Sequence, residues 1–151
     1  MDEMLRDLYQ QVILDHNSNP QNFHRPDGTN HSAEGYNPLC GDHYTIFLVM
    51  DGDVVKDVGF EGSGCAISKS SASVMTTLVK GKTREEAREL FEKFTRMVKG
   101  ELGADEAAKL GKLAVFEGVR EFPTRTKCAT LSWHAMASAM AGEEEKVSTE
   151  G

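Results

Sequence analysis

The chain has little of what several function classes require. Its 151 residues carry 17 Lys and Arg against 24 Asp and Glu, a formal net charge of −7. That balance argues against nucleic acid or an anionic membrane as partner, because both need a basic footprint. No apolar run approaches the roughly 18–20 residues that cross a bilayer. The N-terminal MDEMLRDLYQQVILDH is acidic and amphipathic, without the basic-then-apolar layout of a secretory signal. Together these absences point to a cytoplasmic protein. There is no C-x-x-C pair, which discounts a thiol oxidoreductase, and the three cysteines are an odd number that cannot all pair within the chain. In a reducing cytosol they are expected as thiols, available for metal binding or chemistry, or else buried as small hydrophobes. With no internal repeat and no linker, residues 1–142 read as one domain and 143–151 as an acidic, flexible tail.

What is present reads as an α+β fold, a small antiparallel sheet of about three strands with helices packed on it. A first helix is expected over about Asp2–Asp15, with Leu5, Leu8, Tyr9, Val12 and Ile13 on one stripe. Asn, Pro and Gly make residues 16–30 an irregular connection. HYTIFLVM (43–50) and VVKDVGFE (54–61) read as strands joined by the turn signal DGD, with Val54, Lys56, Val58 and Phe60 on one face. HSAEGY (31–36) is a weaker third strand. Residues 65–80 read as a helix stopped by Gly81. Thr83 and Glu86 form a capping box ahead of a stripe running from Ala87 to Val98. Residues 104–117 are helical, and a last helix from about Lys127 to Ala141 is apolar around most of its circumference, with Trp133, Met136 and Met140 as core.

The cysteines occupy special places in that frame. Cys40 lies in a glycine-bearing turn before the first long strand, Cys65 where the second strand passes into a helix, and Cys128 in the expected first turn of the last helix. Helix N-termini favour a thiolate. A hairpin sets the start of its first strand beside the end of its second, so Cys40 and Cys65 become neighbours. If packing brings Cys128 to the same edge, three sulfurs join Asp42, and that set suits tetrahedral zinc. Asp42 is otherwise a turn or capping carboxylate. Arg125 and Lys127 flank Cys128, and each either stabilises a thiolate, grips a partner's carboxylate or is plain surface charge.

Three motifs taken together, NPLCGD (37–42), GSGCAIS (62–68) and FPTRTKCATLSWHAM (122–136), resemble the iron–sulfur cluster assembly family with the IscU-like fold, related to the NifU N-terminal domain. The resemblance covers nearly the whole chain apart from the tail. Lys127 stands where the scaffold branch has histidine, EFPTRT replaces that branch's chaperone-recruiting segment, and KGELGADEAAKLGKLAVFEG is extra sequence. These departures resemble the SufU branch. By that resemblance, zinc is held by Cys40, Asp42, Cys65 and Cys128. Cys40, displaced from the metal by a partner histidine, then accepts sulfur from a pyridoxal-phosphate-dependent cysteine desulfurase of the SufS type. The resemblance further implies that the protein activates that enzyme and passes sulfur to a downstream cluster-assembly complex, making it a sulfurtransferase. Two alternatives stay open. One is a scaffold that builds an iron–sulfur cluster on Cys40, Cys65 and Cys128, and the other is a closed structural zinc module.

Overall fold

The structure, a computed structural model, describes residues 3–38, 40–142 and 146–148. Its elements run α1 (Glu3–Ser18), β1 (His31–Asn37), β2 (Asp42–Asp51), β3 (Val54–Ser63), α2 (Ala66–Val79), α3 (Arg84–Val98), α4 (Ala104–Ala108), a 3-10 segment (Gly111–Glu121), α5 (Pro123–Met140) and β4 (Lys146–Ser148). The sheet order is β3-β2-β1-β4, with antiparallel β1–β2 and β2–β3 pairs and a parallel β1–β4 pair. This is the expected α+β arrangement, and the strand at HSAEGY forms in full. Lys146–Ser148 join the sheet as β4, while the remaining residues assigned to the tail lie outside the described residues.

Side-chain alternation along β2 explains which face the helices cover. Tyr44, Ile46, Leu48 and Met50 are buried on one side, while His43 is exposed on the other. Phe47, on the second face, is covered by Arg25, whose guanidinium sits 5.4 Å from the ring centroid. Helix α5 lies against β1 and β2, and α2 against β3. Trp133 of α5 stacks on Phe94 of α3 with ring centroids 5.0 Å apart, and Phe116 meets Phe94 edge-on at 5.8 Å. One aromatic cluster thus ties α3, α5 and the 3-10 segment together.

Local signals and tertiary packing part company at five places. In β3 the expected Val54/Lys56/Val58/Phe60 face is broken. Val49 pairs with Asp57 and Met50 with Val55, so Lys56 is an extra residue, a bulge that reverses the alternation. Val55, Val58 and Phe60 are therefore buried, and Val54 is exposed. In α1, Tyr9, Val12 and Ile13 pack on the core but Leu8 is 59% exposed. The helix rests mainly on α2 and the 3-10 segment. Residues 104–117 are not one helix, since α4 ends at Ala108 and a 3-10 segment follows. Gly111, at φ +60°, stands at that break. The last helix begins at Pro123, whose ring pre-sets a helical φ at the first position. Cys128 consequently lies in the second turn of α5, not its first. The thiol placed at a helix start is Cys65, the N-cap of α2.

The sheet is extended on one side and covered on the other. Beyond β1 lies β4. Along β3, Val55 N donates to Lys82 O, Phe60 N to Asn22 O, and Val58 N to the side chain of Asp57. The connection after α1 crosses so close that a Cβ on Gly59 would collide with His24 O and come within 2.9 Å of Pro26 Cδ. Gly59→Ala is therefore expected to destabilise the fold by about 1–3 kcal/mol in urea unfolding, because neither backbone nor proline ring can move aside cheaply. The Thr83–Glu86 capping box is fully formed, with Glu86 N donating to Thr83 Oγ1 at 3.1 Å and Thr83 N to Glu86 Oε1 at 3.0 Å. Thr83→Ala should cost about 1 kcal/mol in the same measurement.

Candidate functional site

The site forms where the β1–β2 hairpin meets the N-terminal parts of α2 and α5. Asn37 ends β1 and faces Asp42, the first residue of β2, as its cross-strand partner. Between them the chain turns, with Cys40 N donating to Asn37 O at 3.3 Å and Gly41 at φ +70°, a conformation glycine takes without strain. At this same end of β2, His43 pairs with Ser63 of β3, which delivers Cys65 to the same corner. Helix α5, packed on β1 and β2, brings Cys128. The sulfurs of Cys40 and Cys128 and a carboxylate oxygen of Asp42 all lie within 4.8 Å of one another. Cys65 stands at the edge of this trio.

Asp42 is completely buried, and its three hydrogen-bond donors are all neutral. Cys65 N donates to Oδ1 at 2.8 Å, Ser68 Oγ to Oδ1 at 3.0 Å, and Asn37 Nδ2 to Oδ2 at 3.2 Å. A Cβ on Gly64 would collide with Asp42 Oδ1 and approach Ser68 Oγ within 2.6 Å and Tyr44 OH within 2.8 Å. The glycine therefore lets the backbone close over the carboxylate. Cys65 Sγ accepts from Ser68 N at 3.5 Å, as an N-cap side chain does. Cys128, buried, lies 3.0 Å from Cys40 Sγ and 3.5 Å from Asn37 Nδ2. A buried carboxylate without a cationic partner, beside convergent thiols, fits a divalent ion with affinity for sulfur.

The thiols share protons unequally. A hydrogen bond from Cys128, opposed by burial and aided by those from Ser68, holds the Cys65 pKa down at about 6. Cys128 is pushed up, first by its hydrogen bond to Cys65 and then by burial. Tyr44, whose hydroxyl sits 3.2 Å from Ser68 Oγ, is raised mainly by burial. Arg125 is exposed, and its guanidinium pKa is raised, first of all by the negative charge of Cys65, so it faces the thiols across the rim. Lys127 is also exposed and joins no ion pair among the described residues. His43 turns instead to Glu34, 3.3 Å away on the outer face, and His134 packs edge-on against Phe91 with ring centroids 4.9 Å apart.

Sequence reasoning passed over Asn37, Ser68 and Tyr44. Ser68, three residues beyond the N-cap Cys65, carried a local signal. Asn37 and Tyr44 did not, because their role depends on strand register.

A pH dependence follows from the lowered thiol. In metal-free protein, alkylation of Cys65 by iodoacetamide, mapped by mass spectrometry, should rise with a midpoint near pH 6. Cys128 should stay protected. Folding lowers the Cys65 pKa from 9.0, so the stability it contributes is complete above about pH 9 and is lost as the pH falls through about 6. A Cys65 midpoint near that of an ordinary thiol would contradict this proton sharing.

Known proteins resemble the chain over most of its length. A family model described as the NifU-like N terminal domain matches residues 8–129. The zinc-dependent sulfurtransferase SufU of Bacillus subtilis strain 168 is 44% identical over 139 residues, 91% of this chain and 92% of that protein. The iron–sulfur cluster assembly scaffold protein IscU of Streptococcus pyogenes serotype M1 is 38% identical over 136 residues, 90% of this chain and 84% of that one. In three dimensions, the N-terminal part of a nitrogen-fixing NifU-like protein from Brucella abortus superposes with a TM-score of 0.81 at 29% identity, covering 93% of this chain and 96% of that one. A match of this extent in both sequence and fold makes the chain a member of the NifU-like N-terminal domain family, among the SufU- and IscU-like proteins of iron–sulfur cluster assembly.

Proposed function

We propose that the protein is a zinc-dependent sulfur carrier that takes persulfide sulfur from a cysteine desulfurase of the SufS type onto Cys40, activates that enzyme and passes the sulfur to a downstream cluster-assembly complex. When held by Cys40, Asp42, Cys65 and Cys128, zinc supplies the charge that keeps thiols ionised at neutral pH and shields them from side reactions. The observation that carries the reading is the unequal support of the three thiols. Cys65 caps a helix and accepts from Ser68 N, and Cys128 is buried against the Asn37 amide. Cys40 is half-buried in a turn, and among the described residues its sulfur takes a single hydrogen bond, from Cys128. It is the sulfur that can leave the cluster while the rest stays put.

Transfer then needs no outside oxidant. The Cys40 thiolate attacks the terminal sulfur of the donor persulfide, an S–S bond forms on Cys40, and the donor's S–S bond breaks to release its cysteine as thiolate. Arg125 places positive charge at the rim where that anionic exchange takes place. Lys127, on the exposed side of α5, is free to meet a carboxylate of the desulfurase. The SufU relative, named as a zinc-dependent sulfurtransferase, supports this choice. The IscU relative, named as a scaffold, keeps a second reading in play, with an iron–sulfur cluster as cargo on the same three cysteines.

Elemental analysis and a desulfurase assay test the proposal together. Wild-type protein should hold about one zinc per chain and stimulate sulfide release by the desulfurase. Cys40→Ala should keep the fold and most of the metal, yet accept no sulfur. Sulfur acceptance by Cys40→Ala would refute the assignment, and iron with acid-labile sulfide in the purified protein would favour the scaffold.

A further inference from the structure

We infer that Asn37 is a positioning residue that clamps the fixed side of the metal set, keeping Asp42 and Cys128 together when Cys40 departs. The inference rests on the metal set proposed above. Asn37 is fully buried, and one amide group serves two ligands from different elements. Its Nδ2 donates to Asp42 Oδ2 at 3.2 Å and to Cys128 Sγ at 3.5 Å, bridging the start of β2 to helix α5. Its backbone carbonyl meanwhile accepts Cys40 N at 3.3 Å, so the same residue anchors the turn that carries the mobile sulfur. Among the described residues, no other side chain donates to both Asp42 and Cys128.

The other end of the amide shows what this arrangement gives up. Asn37 Oδ1 is buried and has no hydrogen-bond partner among the described residues, a state that buried polar atoms rarely tolerate. Reversing the amide would not help, because it would aim that oxygen at a carboxylate and a sulfur, both electron-rich. The orientation is thus dictated by the two acceptors, at the expense of the oxygen. The residue type fits as well. A lysine or arginine in this place would hold Asp42 and Cys128 through charge, but it would repel the incoming cation. An amide donates hydrogens without adding positive charge. The cross-strand pairing of Asn37 with Asp42 makes the reach short and the geometry rigid. Cys40 receives none of this side-chain support, which is what lets it exchange.

Zinc affinity, measured by competition with a chromogenic chelator, tests the clamp in wild type, Asn37→Ala, Cys40→Ala and the double variant. Asn37→Ala should bind zinc roughly 10–100-fold more weakly, the range seen when groups supporting metal ligands are removed. The loss should be larger in the Cys40→Ala background, where Asp42 and Cys128 carry more of the site. A merely structural role predicts the same loss in both backgrounds, with the change appearing instead in thermal unfolding of the metal-free proteins. If Asn37→Ala does not fold, Asn37→Ser, which keeps a shorter donor, is judged by the same criteria. Unchanged affinity, or equal losses with and without Cys40, overturns the clamp alone. Wild-type protein that takes up no zinc overturns the metal set and the clamp with it.

Discussion

The buried carboxylate of Asp42 is the constraint around which the working end of the molecule is organised. A charge with no exposed surface has to be met by donors or a cation. Here the donors come from three directions, the Asn37 amide from β1, the Ser68 hydroxyl from α2 and the Cys65 backbone N–H from the strand-to-helix junction. Satisfying that one group fixes the hairpin end against α2, and through Asn37 against α5. The cysteines are brought together as a by-product of solvating the aspartate. Gly64 completes the arrangement by leaving room for the backbone to pass beside the carboxylate.

The helical layer below this corner is unusually polar. Ser68, Ser70, Ser71, Ser73 and Thr76 of α2 are all buried. Each hydroxyl has found a partner. Ser71 donates to Ala129 O and accepts from the Trp133 indole, while Ser73 holds His16 and the backbone of Gln21. Such bonds are directional, so they set the rotation of α2 about its axis more tightly than apolar packing would. That rotation aims the N-cap Cys65 at the site. The position of α5 is fixed in turn by its aromatic contacts with α3 and the 3-10 segment.

Features that depend on near neighbours were legible in the sequence, and those that depend on distant ones were not. The Asp51–Val54 hairpin, the Thr83–Glu86 box and the capping place of Cys65 are written in residues a few positions apart. The hairpin accounts for Cys40 and Cys65 as neighbours, whereas the arrival of Cys128 beside Cys40 and Asp42 depends on the packing of α5 against β1 and β2. The Lys56 bulge left no local trace, since it is set by how β3 fits β2 and the segment beyond it. The sequence points to a later start for α5 because Thr124 and Thr126 are weak helix formers, but Pro123 outweighs them. Asn37 was visible within NPLCGD, yet its function needs the register that sets it opposite Asp42.

The covered β3 edge of the sheet has a consequence for life at high concentration. A strand that shows its N–H groups to solvent can template the edge of another copy. In this fold the outward amides of Val55, Val58 and Phe60 are each already engaged, and β4 lies along β1 on the far side. Pairing between copies through the β3 backbone is thereby blocked, so encounters on that side are decided by side chains and not by exposed amides.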